Sequence, residues 1–389
     1  MDVFWFFAGI TVIGLIACVL QIVAVRSHIT SLNSGEGATL LRFFPPVSVL
    51  KPLKGIDDNL FDNLESFCVQ DYPEFEVIFS LQDRNDPAYK VARKIKDKYP
   101  DRDISIVVRR CNDGLNPKVN NLIPAYRVSK YRYILISDSN VTVDKDYLRE
   151  IVKPMEDAGV GLVSSMIKGV GGRTAGSIFE NLHLNTFVVG SVCFLDKFLK
   201  MPCVVGKSML MRKDDLEAIG GFKSVKDVLA EDYVIGKKMK EAGRKVVLSN
   251  YMINTVNKYW GMKNFLGRHT RWGKLRWKIG GIQYLSELLG NAVFMSFVPV
   301  VLYEPSRTTL SFALATSALK IMGDLYLGRM LKADIKSVFY LLSPVKDIAV
   351  GFMWFVPLLS SRVAWRGNRY VIGKASRLSP CPENSRWSW

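Results

Sequence analysis

The feature that most constrains this chain is a long uncharged run close to its N-terminus. The run is VFWFFAGITVIGLIACVLQIVAV, residues 3–25, and its 23 residues include no charged side chain. A helix of that length spans the hydrocarbon core of a bilayer with some tilt. No basic segment precedes the run, no small-x-small cleavage site follows it, and it is too long for a signal peptide. We therefore predict an uncleaved transmembrane anchor at residues 1–28 and a juxtamembrane linker at 29–46.

The composition fits a membrane-associated protein but does not identify its partner. Hydrophobic residues make up 49% of the 389 residues, and the mean hydropathy is +0.11. The net charge of +17 suits nucleic acid, an anionic substrate or an acidic membrane surface. The six cysteines show no C-x-x-C spacing, so reduced thiols are expected rather than a zinc site or a disulfide framework.

Short runs rich in Val and Ile alternate with helical patterns through the middle of the chain. The strand-like runs are VSVL (47–50), EVIFS (76–80), ISIVV (104–108), YILIS (133–137) and GLVSS (161–165). This alternation predicts βαβ units, and hence an α/β domain with a mainly parallel sheet over residues 47–257. Sheets of this kind bind ligands at the carboxyl ends of their strands.

Three further apolar tracts near the C-terminus predict a membrane region at 284–361. They cover roughly residues 288–302, 310–327 and 338–359. The first is short for a span, and the third suits a lipid-facing helix poorly because it includes two prolines, a lysine and an aspartate.

Basic residues around these tracts favour one arrangement. Arginine and lysine residues lie in the loop 329–336 and in the tail 362–389, which includes Arg362, Arg366 and Arg369. Positively charged segments stay in the cytosol, so the first two tracts would cross and the third would be re-entrant or interfacial. We predict three spans in total, with four as the alternative, and a basic cytosolic tail at 362–389.

Acidic residues follow the predicted strands or open a helix. Asp83 and Asp86 follow the second strand, Asp138 follows the fourth in YILISDSN, and Glu231 and Asp232 begin a helical pattern. Each group alone has an ordinary explanation as turn residues or as charges favourable to a helix dipole. Several carboxylates converging at one sheet edge would need a cation or a proton-transfer task to be tolerated.

The segment GLNPKVNNLIPAY follows the third strand and opens a helix at Pro117 and Lys118. A lysine beside the amide groups of a helix start suits a diphosphate. An ordinary loop–helix junction explains the same residues equally well.

A basic and aromatic segment at 258–283 precedes the membrane region. Residues 258–280 contain seven Lys and Arg residues and no acidic ones. Such a segment fits a helix in the membrane interface or a site for single-stranded nucleic acid. Because it runs directly into the apolar tracts, we favour the membrane.

The run NTFVVGSVCFL, at 185–195, is too short to span a bilayer. We expect it to pack in the core or to form an apolar wall for a lipid acceptor. The histidines at 28, 183 and 269 are too scattered to form a ligand set, and each is expected to be structural.

These motifs together resemble a known family. Asp86, Asp138, Glu231-Asp232 and RHTRW at 268–272 are similar to the D, D, D, (Q/R)xxRW series of membrane and processive glycosyltransferases with the GT-A fold. Within that group the chain looks most like ceramide glucosyltransferases, with bacterial hopanoid N-acetylglucosaminyl transferases as a more distant branch. Similar stretches, among them QDRNDPA, GLNPKVNNLIPAY, CVVGKSMLMRKDDLEAIGGF and WRGNRY, extend over most of residues 49–370. The resemblance implies a GT-A (Rossmann-like) domain at 47–257.

The resemblance also implies roles for particular residues. Asp232 would be the general base. The donor-binding residues would be Lys51, Lys54, Asp86, Lys118, Asn120 (or Asn121) and Asp138. Glu231, Arg268, Arg271 and Trp272 would lie near the diphosphate and the acceptor. Asp138 and Asn140 would hold a divalent metal, Mg²⁺ or Mn²⁺, although an amide oxygen at Asn140 is a weaker ligand than a carboxylate.

The implied activity is transfer of glucose from UDP-glucose to the primary hydroxyl of ceramide or a similar lipid, with inversion. The acceptor could also be a hopanoid or a diacylglycerol, with another UDP-hexose as donor. A processive polysaccharide synthase shares the motifs but usually has more crossing helices. A non-enzymatic membrane protein that binds nucleic acid or anionic lipid leaves the acidic strand ends unexplained.

The expected partners are a UDP-sugar, a lipid acceptor and the bilayer, with no nucleic acid. We expect an integral membrane protein with its catalytic domain on the cytosolic side. It would lie in the inner or plasma membrane of a bacterium, or in the Golgi or ER of a eukaryote.

Overall fold

The computed structural model describes residues 2–33, 43–201, 203–302, 305–365 and 367–381. They form two compact units. The sheet unit comprises His28–Lys168 and Leu199–Asn257, and the helical unit comprises Met1–Ser27, Gly169–Phe198 and Lys258–Trp389. Parts of the predicted linker at 29–46 and of the predicted tail at 362–389, including Arg366, lie outside the described residues.

The described residues contain two sheets. An eight-stranded sheet has the order β3-β2-β1-β4-β7-β6-β8-β5, and a three-stranded sheet near the C-terminus has the order β11-β10-β9. The strands are β1 (Val47–Pro52), β2 (Phe75–Leu81), β3 (Ile104–Val108), β4 (Tyr133–Ile136), β5 (Val141–Thr142), β6 (Val160–Val170), β7 (Met209–Arg212), β8 (Lys245–Val256), β9 (Arg362–Trp365), β10 (Asn368–Ile372) and β11 (Leu378–Pro380).

The prediction of a mainly parallel sheet describes only the first four strands. β1 pairs in parallel with β2 and β4, and β2 with β3. Strand β7 then pairs antiparallel with both β4 and β6, so β4 and β6 point the same way. The sheet is therefore mixed, because the chain returns through β7 by a route that the βαβ pattern does not encode. The carboxyl ends of β1, β2, β3 and β4 share one edge.

Helices separate these strands and fill the other unit. The α-helices are α1 (Asp2–Asn33), α2 (Leu60–Cys68), α3 (Pro87–Lys98), α4 (Pro117–Val128), α5 (Tyr147–Val152), α6 (Ala175–His183), α7 (Val189–Leu199), α8 (Lys213–Ala218), α9 (Glu231–Glu241), α10 (Met262–Gly280), α11 (Leu285–Leu289), α12 (Ala292–Leu302), α13 (Arg307–Met330), α14 (Ser343–Met353) and α15 (Val356–Leu359). The short helices are Lys153–Glu156, Leu184–Val188, Phe222–Val225, Gly281–Tyr284, Ser337–Leu342 and Lys374–Ser376.

The core of the sheet unit lies on the central strands. All six residues of β1 and all four of β4 are buried, as expected of strands covered on both faces. Leu50, Ile134, Leu162 and Met209 from four strands pack in one hydrophobic cluster with Val119 of α4. This packing holds the strand ends in place at the edge where the acidic residues lie.

Apolar helices dominate the helical unit. Among the described residues, four helical segments are long and apolar enough to cross a membrane, or five if a pair bent by 68° is one span. The four are Val3–Thr30, Ala175–Leu199, Arg307–Met330 and Ser337–Leu359, and the bent pair joins Met262–Leu289 to Ala292–Leu302. The run at 185–195, predicted to be too short to span, belongs to a 25-residue helical segment, Ala175–Leu199, whose apolar 18-residue window is 67% buried.

The charged residues of the third C-terminal tract have partners inside the helical unit. Lys346 lies 2.9 Å from the Asp347 carboxylate and donates to the Thr186 hydroxyl at 3.2 Å. Lys320 of α13 pairs with Asp324 and, at 3.5 Å, with Asp347. The two lysines balance the two aspartates, which makes their burial between apolar helices tolerable.

Candidate active site

Three charged side chains from separate elements meet at the carboxyl edge of the sheet. The Lys118 Nζ lies 2.9 Å from Asp138 Oδ1 and 2.9 Å from Glu231 Oε1. Lys118 comes from the first turn of α4, Asp138 follows β4, and Glu231 begins α9. Asp138 and Glu231 therefore meet at this edge with a lysine between their carboxylates, whereas Asp83 and Asp86 line a separate cavity. We call Lys118, Asp138, Glu231 and Asp232 the acidic cluster.

A buried lysine supports the turn that carries Asp138. The Lys51 Nζ donates to the backbone carbonyl of Asp138 at 2.6 Å and to Ser137 Oγ at 3.2 Å. It also lies 3.7 Å from the centre of the Phe67 ring. Lys51 is fully buried, and this burial lowers its pKa well below the usual value. Lys51 thus contacts the backbone beneath the acidic cluster.

Lys118 is held in its charged form. Burial opposes its ionisation, but the carboxylates of Asp138, Glu231 and Asp232 outweigh that effect and raise the pKa of Lys118. Its helix begins at Asn116, whose side chain accepts from the backbone amides of Lys118 and Val119. The same Asn116 side chain donates to Glu231 Oε2 at 3.2 Å.

Asp232 has the properties of a proton acceptor. Its Oδ2 accepts from the Gly206 amide and its Oδ1 from the Tyr233 amide, both at 2.8 Å. Burial and the neighbouring Glu231 carboxylate raise the pKa of Asp232 to about 6, with Lys118 acting in the opposite direction. A carboxyl group that ionises near neutral pH suits general base catalysis.

The turn before β7 supplies a residue to which the sequence analysis assigned no role. The Lys207 Nζ lies 3.4 Å from Asp138 Oδ2 and also donates to Asn140 Oδ1. The adjacent Gly206 carbonyl accepts from Lys118 Nζ at 2.7 Å. The sequence signal for Lys207 was the GKS of CVVGKSMLM, but the position of Lys207 beside Asp138 depends on the pairing of β7 with β4.

The predicted metal ligands were tested against this geometry. The Asp138 and Asn140 oxygens face the ammonium groups of Lys118 and Lys207. Within the described ranges, no group of three His, Cys, Asp or Glu side chains could hold a metal ion. One carboxylate and one amide are a sparse donor set for Mg²⁺ or Mn²⁺, so the residues as arranged do not fit a metal.

Asp86 and Lys54 line a separate cavity in the sheet unit. The Asp86 carboxylate accepts from the Gly55 amide at 2.9 Å and from the Ala88 amide at 2.9 Å, which caps α3 and ties it to the loop after β1. The cavity measures about 290 Å³. Its lining residues are Leu53, Lys54, Gln82, Asp83, Asn85 and Asp86.

The two predicted asparagines hold backbone loops. The Asn120 side chain exchanges two hydrogen bonds with the backbone of Gly114, at 3.1 and 2.8 Å. Asn121 donates to the Leu53 carbonyl at 2.9 Å and accepts from Gln82 at 2.6 Å. Both shape the loops beside the acidic cluster and the cavity.

Arg268, Arg271 and Trp272 belong to α10 in the helical unit. Arg268 pairs with the buried Glu180 at 2.6 Å, and its guanidinium lies 3.9 Å from the centre of the Trp260 ring. His269 Nε2 lies 2.8 Å from the second oxygen of Glu180. The structure thus shows a Glu180–Arg268–His269 pairing that the sequence analysis missed.

Two histidines that look scattered in the sequence are neighbours in the helical unit. The rings of His183 and His269 are 4.3 Å apart, because α6 and α10 pack together. His28 lies in the other unit. Of the described histidines, cysteines and acidic residues, none forms a metal-binding group of three, and the six cysteines, all described, form no disulfide bond.

Sequence comparison finds relatives of this chain among ceramide glucosyltransferases. Two ceramide glucosyltransferases of Caenorhabditis elegans are similar to this chain: ceramide glucosyltransferase 3 is 26% identical and ceramide glucosyltransferase 1 is 28% identical. Both alignments cover 86% of this chain, with 74% and 73% of the respective relatives. Among solved structures, the mannosyltransferase PcManGT from Pyrobaculum calidifontis, in complex with GDP-Man and Mn²⁺, has a TM-score of 0.49 at 16% identity, over 90% of this chain and 99% of that one.

A family assignment completes the comparison. The sequence profile of glycosyl transferase family 21 matches residues 8–378, which is nearly the whole chain. The predicted resemblance to ceramide glucosyltransferases is confirmed, and the structure confirms the predicted α/β fold with apolar helices at both ends. The chain belongs to glycosyl transferase family 21.

Proposed function

We propose that this chain transfers glucose from UDP-glucose to the primary hydroxyl of ceramide or a similar lipid, with inversion at the anomeric carbon. The observation that carries the proposal is the acidic cluster, where Lys118 lies 2.9 Å from both Asp138 and Glu231 beside an Asp232 whose pKa is raised to about 6. The names of the two nematode relatives support ceramide as the acceptor class.

In the proposed reaction, Asp232 acts on the acceptor and Lys118 acts on the leaving group. Asp232 takes the proton from the acceptor hydroxyl as its oxygen attacks the anomeric carbon. The bond from that carbon to the phosphate oxygen breaks, and UDP leaves with the electron pair. A single displacement converts an α-linked donor into a β-glycoside. Lys118, at a helix start, offsets the charge that develops on the diphosphate.

The remaining site residues bind and orient. The cavity lined by Lys54 and Asp86 has the size and polar lining to take part of the donor nucleotide. Arg268, Arg271 and Trp272 stay predicted to act near the diphosphate and acceptor. The Mg²⁺ or Mn²⁺ expected from the family resemblance has no part in this reaction scheme, because the Asp138 and Asn140 oxygens face the ammonium groups of Lys118 and Lys207 and are a sparse donor set for a divalent ion.

The apolar helices provide the setting for a lipid acceptor. A protein with several helices able to cross a bilayer meets ceramide-like lipids where they reside. We propose that the sheet unit faces the cytosol, where UDP-sugars are made, because the chain is basic and positively charged segments remain on that side.

A UDP-release assay tests the proposal. The purified full-length protein would be given UDP-glucose, UDP-galactose or UDP-N-acetylglucosamine with ceramide, a hopanoid or a diacylglycerol. We expect the fastest UDP release with UDP-glucose and ceramide, and a β-linked glycolipid by NMR. Asp232→Asn should bind UDP but lose about 10²- to 10⁴-fold in turnover.

Other results would change the assignment. Faster transfer to the hopanoid or to diacylglycerol would assign that lipid as the acceptor instead of ceramide. Formation of long polymer would indicate a processive synthase. Normal turnover by Asp232→Asn would remove Asp232 as the base.

A further inference from the structure

The oxygens expected to bind a metal are contacted by a second lysine. The Lys207 side chain is 12% exposed, against 29% for that of Asp138. Its Nζ lies 3.4 Å from Asp138 Oδ2 and contacts Asn140 Oδ1, while Lys118 contacts the other Asp138 oxygen at 2.9 Å. Two ammonium groups therefore bracket one carboxylate.

The turn that carries Lys207 is built into the cluster. The Gly206 amide donates to Asp232 Oδ2, and the Gly206 carbonyl accepts from Lys118. The Val205 amide donates to Ser164 Oγ at 2.8 Å. Strand β7 begins two residues after Lys207 and pairs with β4, the strand that leads to Asp138. The position of Lys207 is thus set by backbone contacts on both sides.

Two ammonium groups, from Lys118 and Lys207, lie at this point together with the carboxylates of Asp138, Glu231 and Asp232. Lys118 contacts Asp138 and Glu231. Lys207 brings the second ammonium group to Asp138 and to the neutral amide of Asn140, at the end of the sheet where ligands of such folds bind. A diphosphate carries enough negative charge to be held by two ammonium groups.

We propose that Lys207 supplies, from within the chain, the positive charge expected of a divalent metal, and that Lys118 and Lys207 together bind the donor diphosphate without one. This inference rests on the proposed function in one respect, namely that the donor is a nucleoside diphosphate sugar. It accounts for Asn140, since an amide oxygen suits an ammonium donor as well as it suits a metal.

Binding of UDP to the full-length protein, with EDTA or with Mn²⁺, tests the inference without relying on turnover. We expect isothermal titration to give the same affinity in both conditions, and electron paramagnetic resonance to show no stoichiometric Mn²⁺ uptake by the unliganded protein. An affinity lost in EDTA and restored by Mn²⁺, or one tightly bound Mn²⁺ per chain, would overturn it.

Variants of Lys207 add an independent readout. Lys207→Gln should weaken UDP binding in EDTA by about tenfold or more, since a hydrogen bond to a charged group contributes that much. Lys207→Arg should restore most of the loss, which a purely structural role would not predict. Lys237→Gln is the matched control, because Lys237 is an exposed lysine of α9 paired only across a surface helix turn with Glu241. UDP binding by Lys207→Gln equal to that of the wild type would contradict the proposal.

The outcomes separate this inference from the proposed function. Metal-independent UDP binding without glucosyl transfer to any lipid would uphold the role of Lys207 and reject the transferase assignment. Absence of UDP binding by the wild type, with EDTA and with Mn²⁺, would reject both.

Discussion

At Asp232, the groups that surround the carboxylate also set its pKa. Its two oxygens accept hydrogen bonds from backbone amides, and these bonds favour the charged form. Burial and the Glu231 carboxylate outweigh them and raise the pKa of Asp232 to about 6. Glu231 and Asp232 were predicted from the sequence as a pair at a helix start. Which of the two carboxyl groups has the raised pKa depends on burial and on the position of Lys118, and residue order shows neither.

We predict that turnover falls as the pH drops through about 6. The pKa of Asp232 is raised above the ordinary value of 3.8, so below about 6 the carboxyl group is protonated and cannot accept the acceptor's proton; above that pH the base form dominates. Initial rates measured from acidic to neutral pH should show this limb, and the residual activity of Asp232→Asn should not. A wild-type profile that stays flat down to pH values near 4 would contradict the assignment.

At the scale of elements, the turn before β7 has no room for a side chain at Gly206. A Cβ added at Gly206 would lie 2.8 Å from Asp232 Oδ2 and 3.2 Å from the Cβ of Asp232. Glycine therefore allows the backbone amide to approach the carboxylate closely. The sequence stretch CVVGKSMLM contributed to the family resemblance, but only the paired strand shows why glycine stands there.

We predict that Gly206→Ala lowers turnover by at least about tenfold, because the added methyl group displaces the Asp232 carboxylate and small misplacements of catalytic groups are costly. Gly9→Ala is the control, since a Cβ at Gly9 meets nothing within 4 Å. Kinetics and melting temperatures of both variants in detergent would check the expectation. Wild-type turnover in Gly206→Ala would show that the close approach is not required.

At the scale of the whole molecule, several helices of the described residues are long and apolar enough to cross a membrane. The uncharged run at 3–25 lies in an apolar helix, α1, that extends to Asn33, and its role as a membrane anchor stays a prediction. The helical unit contains further segments of sufficient length and apolarity, including Arg307–Met330 and Ser337–Leu359. Arg307–Met330 corresponds to the predicted tract at 310–327. Ser337–Leu359 corresponds to the predicted tract at 338–359 and consists of several short helices.

We predict that a variant lacking residues 1–33 remains in the membrane fraction after an alkaline carbonate wash. The segments from 307 onward keep enough apolar length to span the bilayer. Immunoblotting of the washed membranes would measure this, with the full-length chain as control. Recovery of the truncated protein in the soluble fraction would mean that these helices do not hold the chain in a bilayer.

Features that depend on local order were predictable from the sequence alone. The uncharged run at 3–25 predicted α1, the Val- and Ile-rich runs predicted β1 to β4, and the position of Asp138 after β4 predicted a carboxylate at the ligand-binding edge of the sheet. These follow from hydrophobic periodicity and strand direction, which neighbouring residues encode.

Contacts between distant segments could be seen only in the folded chain. Folding paired β7 antiparallel with β4, which brought Lys207 to Asp138, and it packed α6 against α10, which joined Glu180 to Arg268 and His269. Such contacts arise from the packing of whole elements across the chain. Their partners are separated by about 70 to 90 residues, so no local pattern records them.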